Sequence, residues 1–157
     1  MHTKNEILIR AEAEEVYGLA ASVERWPEIL PHYRWVRVLE DDGGGRRLVE
    51  MAALRDFIPV RWRAEQLLFP DVPRIVFRHV GGVTTGMEVE WTFAPQGDGV
   101  VRVSILHDLR RGLAGWPLFG GTVADKVVGP FFVSNIAGKT LGRIKELAEA
   151  AGARQER

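Results

Sequence analysis

The sequence predicts an α+β domain in which a curved antiparallel sheet of about seven strands wraps around one long C-terminal helix, with two short helices after the first strand. Three observations carry this. Between residues 34 and 110 apolar and polar side chains alternate in short runs divided by turn-forming residues, and from 122 to about 151 the apolar spacing changes to three and four. The third is the brevity of the connectors, which suits hairpins rather than parallel crossovers. A bent sheet closed by a single helix does not easily fill its own concavity, so the pattern predicts an internal cavity.

Residues 4–10 alternate around Ile7, Leu8 and Ile9 and read as the first strand. Residues 12–26 turn helical, with Val16, Leu19, Ala20 and Val23 on one face. Glu14 and Glu15 fall in its first turn, where they complement the helix dipole; a catalytic carboxylate pair is the alternative. Pro27 and Pro31 bracket a short helical turn from which Trp26, Ile29, Leu30 and Tyr33 can point inward. Strands are then expected at 35–40, 46–54, 60–69, 74–80, 85–94 and 100–110, separated by sequences such as Asp41-Asp42-Gly43-Gly44-Gly45, Gly81-Gly82 and Pro95-Gln96-Gly97-Asp98-Gly99.

Alternation assigns the faces. Met87, Val89, Trp91 and Phe93 share one side of their strand; Val101, Val103, Ile105, His107 and Leu109 share one side of the next; Val60, Trp62, Ala64, Gln66 and Leu68 do so in a third. For 74–80 the parity is ambiguous, because Ile75 and Phe77 oppose Val76 and Val80. Thr122 and Asp125 form a capping box for the last helix, Gly129-Pro130 should break or kink it, and Gly152 is a plausible stop. The expected domain is 1–152, with 153–157 a frayed tail.

Composition narrows the function classes. Lys+Arg and Asp+Glu are both 21, so no basic stripe suggests a nucleic-acid partner. Cysteine is absent, which removes disulfides, thiolate nucleophiles and Cys-ligated metal. His2, His32, His79 and His107 have no metal-site spacing, and phosphate-loop, HExxH and Gly-x-Ser-x-Gly motifs are missing. No metal or cofactor is expected. With no apolar signal segment at the N-terminus and no long apolar run, a soluble cytoplasmic protein is the default expectation.

What remains is binding, or proton transfer by positioned polar groups. His107 lies on an apolar face, either as a core histidine or as a ligand-facing acid/base. Gln66 is similar and chemically weaker. Arg78 either points inward between Val76 and Val80, where it would polarise a carbonyl or enolate oxygen, or outward into water. Tyr33 would place a phenol at the rim. Trp26, Trp62 and Trp91 either line a cavity or fill the core, with Leu30, Leu68, Met87, Val89, Ile105, Phe132 and Ile136 as further candidate wall residues. The glycine-punctuated loop 112–121 carries Trp116 and Phe119, which form a portal or pack beneath the helix end.

The element order, with Glu24-Arg25-Trp26-Pro27-Glu28 leading to Tyr33, Gly86-Met87-Glu88-Val89-Glu90-Trp91-Thr92-Phe93 and Arg143-Ile144-Lys145, resembles the START-like helix-grip (SRPBCC) superfamily, and within it the polyketide cyclase/dehydrase family of aromatase/cyclase type. The opening strand after Thr3-Lys4-Asn5 fits the same pattern. The resemblance implies a deep cavity that folds a poly-β-keto chain for aldol closure and dehydration. It also implies that Tyr33 and Arg78 occupy the positions of an inward Tyr and an inward Arg. A further Arg of that chemistry has no counterpart here: Leu68 stands nearest to its position, with Gln66 where a Ser would be. A sister branch resembles coenzyme Q-binding proteins that carry isoprenoid quinones. The expectation is therefore a cavity for a hydrophobic small molecule (polyketide-like, lipid or quinone). Either Tyr33, Arg78 and His107 catalyse polyketide cyclisation and dehydration, or the chain is a non-catalytic carrier or sensor. It would act as monomer or homodimer, with at most transient contact with a membrane or carrier protein.

Overall fold

The computed structural model describes residues 2–55, 57–82, 84–109 and 122–155, without the side chains of residues 55 and 122–132. Seven strands form one antiparallel sheet: β1 (His2–Ile9), β2 (Tyr33–Asp41), β3 (Arg46–Arg55), β4 (Ile58–Phe69), β5 (Arg74–Gly82), β6 (Glu88–Gly97) and β7 (Val100–Asp108). Their spatial order is β1-β7-β6-β5-β4-β3-β2, so every neighbour from β2 to β7 is a hairpin partner and β1 closes onto β7. The edge strands β1 and β2 are joined by α1 (Ala13–Ala21), a 3₁₀ turn (Val23–Arg25) and α2 (Trp26–Ile29), after which α3 (Thr122–Gln155) follows β7.

The helix expected over 12–26 is thus shorter. It ends at Ser22, whose backbone leaves the helical region at φ −84°, ψ 64° and whose N–H closes on the Gly18 carbonyl. Glu14 and Glu15 are both exposed on the first turn of α1, away from the concave face. At the other end, α3 runs through Gly129 and Pro130 without a break and continues three residues beyond Gly152. Gly152 lacks the positive φ that would turn the chain into a C-terminal cap, so it costs the helix some propensity without ending it. The capping box at Thr122 and Asp125 lies outside the described side chains. The strand expected at 85–94 begins instead at Glu88 and extends through Pro95 to Gly97. A register shift between Pro95 and Gly97 accommodates the proline, and Asp98 and Gly99, at φ 54° and 72°, make the two-residue turn into β7.

The alternation read for β4, β6 and β7 holds. Trp62, Ala64, Val89, Trp91, Phe93, Val101, Val103 and Ile105 are all buried in one core cluster, which α1 joins through Val16 and Ala20 and α3 through Val133, Ala137, Leu141, Ile144 and Ala148. Two polar ties fasten the helices to the sheet. Arg47 on β3 donates to Gln66 Oε1 (2.8 Å) and to the Ala21 carbonyl (2.9 Å), and Gln66 donates to the same carbonyl (2.9 Å) at the end of α1. A cation there also complements the helix dipole. On α3, Lys145 donates to the Leu8 carbonyl of β1, while Arg143 ties α3 to α2 by donating to the Ile29 carbonyl.

Helix α3 packs chiefly along β1 and touches β3 and β7 more lightly. The inner faces of β5 and β6 meet α1 and α2 instead, through Tyr17 on Phe93 and Trp26 on Phe77 and Trp91, and among the described residues a space remains between these rings and α3.

Candidate functional site: a histidine-containing apolar cavity

That space is a cavity walled by Trp26, Tyr33, Met51, Trp62, Met87 and Trp91 among others, with Val133, Ile136 and Ala137 as the helical side. Its volume is about 70 Å³, several times the roughly 10–15 Å³ that one water needs. The aromatic wall is continuous. Trp26 lies 4.9 Å from Tyr33, 6.1 Å from Phe77 and 6.0 Å from Trp91 between ring centroids, and Tyr33 meets Trp62 edge-on at 6.0 Å. The Trp26 indole is anchored by its N–H to the Leu19 carbonyl at 3.1 Å.

Polar atoms are few and specific. His79 on β5 stacks on Trp62 with rings 5.8 Å apart and 5° from parallel, and its Nδ1 is 2.6 Å from the Thr84 hydroxyl. His107 on β7 lines the same cavity, with a buried Nδ1 that has no hydrogen-bond partner among the described residues. On α3, Thr140 donates to the Ile136 carbonyl at 2.9 Å, so its oxygen is left to accept from His32 Nε2, also 2.9 Å away. His32 opens on the other side into a surface groove with Pro31, Leu54 and Arg143. The Thr140–His32 contact is the partition between cavity and groove.

These histidines are neutral at physiological pH. Burial lowers His79 to about 3, helped by the proximity of His107; burial alone lowers His107 to about 4. His32 is lowered to about 4 by burial and by Lys139. Burial raises the Tyr33 phenol well above its ordinary range. The cavity therefore presents uncharged donors and acceptors, which suits carbonyl and hydroxyl oxygens.

A pH dependence of stability follows. Each of these histidines titrates near 6.5 when unfolded and lower when folded, so below about pH 6.5 the unfolded chain binds more protons. Stability is full above that pH and falls as pH drops toward 4, by up to about 1.4 kcal/mol per pH unit for each buried histidine. Urea midpoints measured between pH 7 and pH 5 should decline steeply in the wild type and less in a His79→Leu variant; a flat profile would contradict the burial.

Of the residues singled out from sequence, Trp26, Tyr33, Trp62, Met87, Val89, Trp91, Ile105, His107 and Ile136 come together around the cavity. Trp116 and Phe119 lie outside the described residues, as does the side chain of Phe132. Three wall candidates are placed elsewhere. Leu30 is fully buried core, Leu68 packs on the core margin, and Gln66, at 0% exposure, is consumed by Arg47 and Ala21.

Arg78 is the clear correction. It stands on the outer face of β5 with 58% of its side chain exposed, opposite Glu88, whose carboxylate is 3.9 Å away. Ile75, Phe77 and His79 are the inward set, because the strand keeps its period of two while Val80 is exposed. Arg78→Ala should change stability by less than about 0.5 kcal/mol and leave ligand binding unaltered, as titration of an apolar probe would check.

Sequence reasoning missed His79, Thr84 and Thr140. The signal for His79 was present in the large Ile75 and Phe77 four and two residues earlier. Thr140 sits three and four residues from Ala137 and Ile136, inside the apolar stripe. Nothing local marks Thr84, which reaches His79 only because the chain turns back between β5 and β6.

An antiparallel sheet gripping a long C-terminal helix over an apolar cavity defines the helix-grip fold of START-like proteins. Residues 9–131 match the family model "Polyketide cyclase / dehydrase and lipid transport", and the chain belongs to that family. It is 29% identical over 107 residues to the granaticin polyketide synthase bifunctional cyclase/dehydratase of Streptomyces violaceoruber, covering 67% of this chain and 33% of that protein. It is 32% identical over 101 residues to the actinorhodin counterpart of Streptomyces coelicolor, covering 63% and 31%. The chain thus spans about a third of the length of these curated relatives.

Among solved structures, an aromatase/cyclase from Streptomyces sp. R1128 superposes with a TM-score of 0.81 at 20% identity, over 95% of this chain and 93% of that one. A protein from Thermus thermophilus gives a TM-score of 0.81 at 25% identity, over 96% and 99%. Among the described residues no helix is long and apolar enough to cross a membrane.

Proposed function

We propose that this chain binds a hydrophobic, oxygen-bearing small molecule of the poly-β-ketone class in the cavity and promotes its cyclisation and dehydration. The observation that carries the reading is the pairing of an aromatic-walled cavity with two neutral imidazoles, His79 and His107, in a chain that resembles cyclase/dehydratases over two thirds of its length. Aldol closure removes a proton from a methylene between two carbonyls, forms a carbon–carbon bond to a third carbonyl, and delivers a proton to that oxygen. Dehydration then removes a second proton and expels the new hydroxyl as water. A neutral imidazole can accept the first proton, and its N–H can donate to the developing oxygen. Tyr33, Thr84 and Thr140 supply further hydroxyls along the wall, and the tryptophans hold the chain folded.

A second reading, a carrier that binds without turnover, is favoured by one feature: among the described wall residues none is a cation, since Arg78 points outward. Incubation with a reconstituted polyketide synthase that releases an unprocessed poly-β-ketone chain separates the two. A single cyclised and dehydrated product, formed faster than in the protein's absence, is the expected result. Unchanged products together with a retained ligand in native mass spectrometry would leave the carrier. Unchanged products with no retention of any apolar ligand would overturn both.

A further inference from the structure

Where β1 meets β7 beside the cavity, three buried polar atoms have no hydrogen-bond partner among the described residues: Thr3 Oγ1, Asn5 Oδ1 and His107 Nδ1. They are neighbours. Thr3 and His107 are directly opposite in the β1–β7 register, and Asn5 lies two residues along β1 on the same face, the face covered by α3. Side chains directly opposite in an antiparallel pair have Cβ atoms about 5 Å apart.

The orientation of the Asn5 amide is decided by its surroundings. Its Nδ2 donates to the Ser134 carbonyl at 3.3 Å and to the Ser134 hydroxyl at 3.1 Å; a carbonyl can only accept, so the nitrogen must face α3 and the oxygen is the atom left over. Each buried polar atom left unpaired keeps its desolvation penalty, and three in one place are rarely tolerated by native proteins without a ligand or ordered water.

We propose that Thr3, Asn5 and His107 form a hydroxyl-binding site between β1, β7 and α3, bordering the cavity at His107, and that Thr3 acts through the bound hydroxyl as a positioning residue that keeps the His107 proton on Nε2. The donor count fits. A water accepting from the Thr3 hydroxyl has two protons to give, one for Asn5 Oδ1 and one for His107 Nδ1. A ligand hydroxyl in the same place accepts from Thr3 and gives its single proton to His107 Nδ1. In both cases Nδ1 is an acceptor, so the neutral ring carries its hydrogen on Nε2. Under the cyclase reading this would make His107 a donor toward the substrate oxygen, but the site itself rests on geometry and needs no turnover.

Two-bond proton–nitrogen correlation spectra of the full chain labelled with ¹⁵N-histidine report the tautomer, with His107 assigned by its loss in His107→Gln. The expected result is a single form of His107 with unprotonated Nδ1, retained in Thr3→Ser and replaced by a tautomer mixture in Thr3→Val. If the form is already present in the ligand-free protein, water supplies the hydroxyl. If it appears only on adding 2-naphthol and not naphthalene, a ligand supplies it, and Thr3→Val should then weaken 2-naphthol binding about tenfold. A proton on Nδ1 under both conditions, or a Thr3→Val spectrum matching the wild type under both, would overturn the proposal. Thr3→Ala serves as the second variant should Thr3→Val fail to fold. Because the tautomer is read without catalysis, the site can stand where cyclisation fails, and the reverse.

Discussion

Replacing His107 by leucine is expected to lower the rate of cyclisation by roughly 10²–10⁴-fold, the usual contribution of a positioned acid or base. The physical basis is that His107 is one of two imidazoles among the described residues lining a largely apolar space, where few other groups can move a proton. Leucine removes the polar edge without opening a large hole, so the folded state should persist. His79→Leu should cost less, because Thr84 already holds His79 Nδ1 at 2.6 Å and leaves one ring nitrogen for a substrate. Single-turnover kinetics with a synthetic poly-β-ketone analogue would measure both. Equal rates for wild type and His107→Leu, with intact binding, would assign the cavity to transport rather than chemistry.

The largest effect on stability is expected from Trp26→Ala, at about 3–5 kcal/mol by urea denaturation. Trp26 is 3% exposed and is the ring on which Tyr33, Phe77 and Trp91 converge. Its loss would leave a void the size of an indole next to an existing cavity, where collapse is poor. It would also strip the Leu19 carbonyl of the indole N–H, freeing the end of α1. Trp26→Phe should recover part of the packing and none of the hydrogen bond. A loss below about 1 kcal/mol would mean that the wall is far looser than its ring contacts indicate.

Much of the architecture was legible because it follows from local periodicity. A strand buried on one face must alternate, as Met87 to Phe93 and Val101 to His107 do, and a helix laid on a sheet must repeat at three and four, as Val133 to Ala148 does. Element ends were less legible. Ser22 ends α1 by a backbone torsion that its side chain does not announce, and Gly152 resembles a stop but keeps helical geometry. The site was legible in part, through large residues on predicted inner faces. Its polar members were harder. Gln66 and Arg78 looked available because sequence shows no partners; Arg47 and Ala21 consume the first, and strand parity turns the second into water beside Glu88.

Sequence by itself determined the class of molecule: seven alternating strands, a crossover with Trp26-Pro27 and a long amphipathic rod, since these depend on periods of two and 3.6 that any reader of the chain can count. Tertiary structure alone decided which polar groups meet. His79, Thr84 and His107 are brought to one cavity by pairing across β5, β6 and β7, and Thr3 reaches His107 from the far end of the chain, because the first strand closes on the last. Hydrogen-bond partners are chosen by distance in space, and no local pattern encodes a distance between strands that meet only after folding.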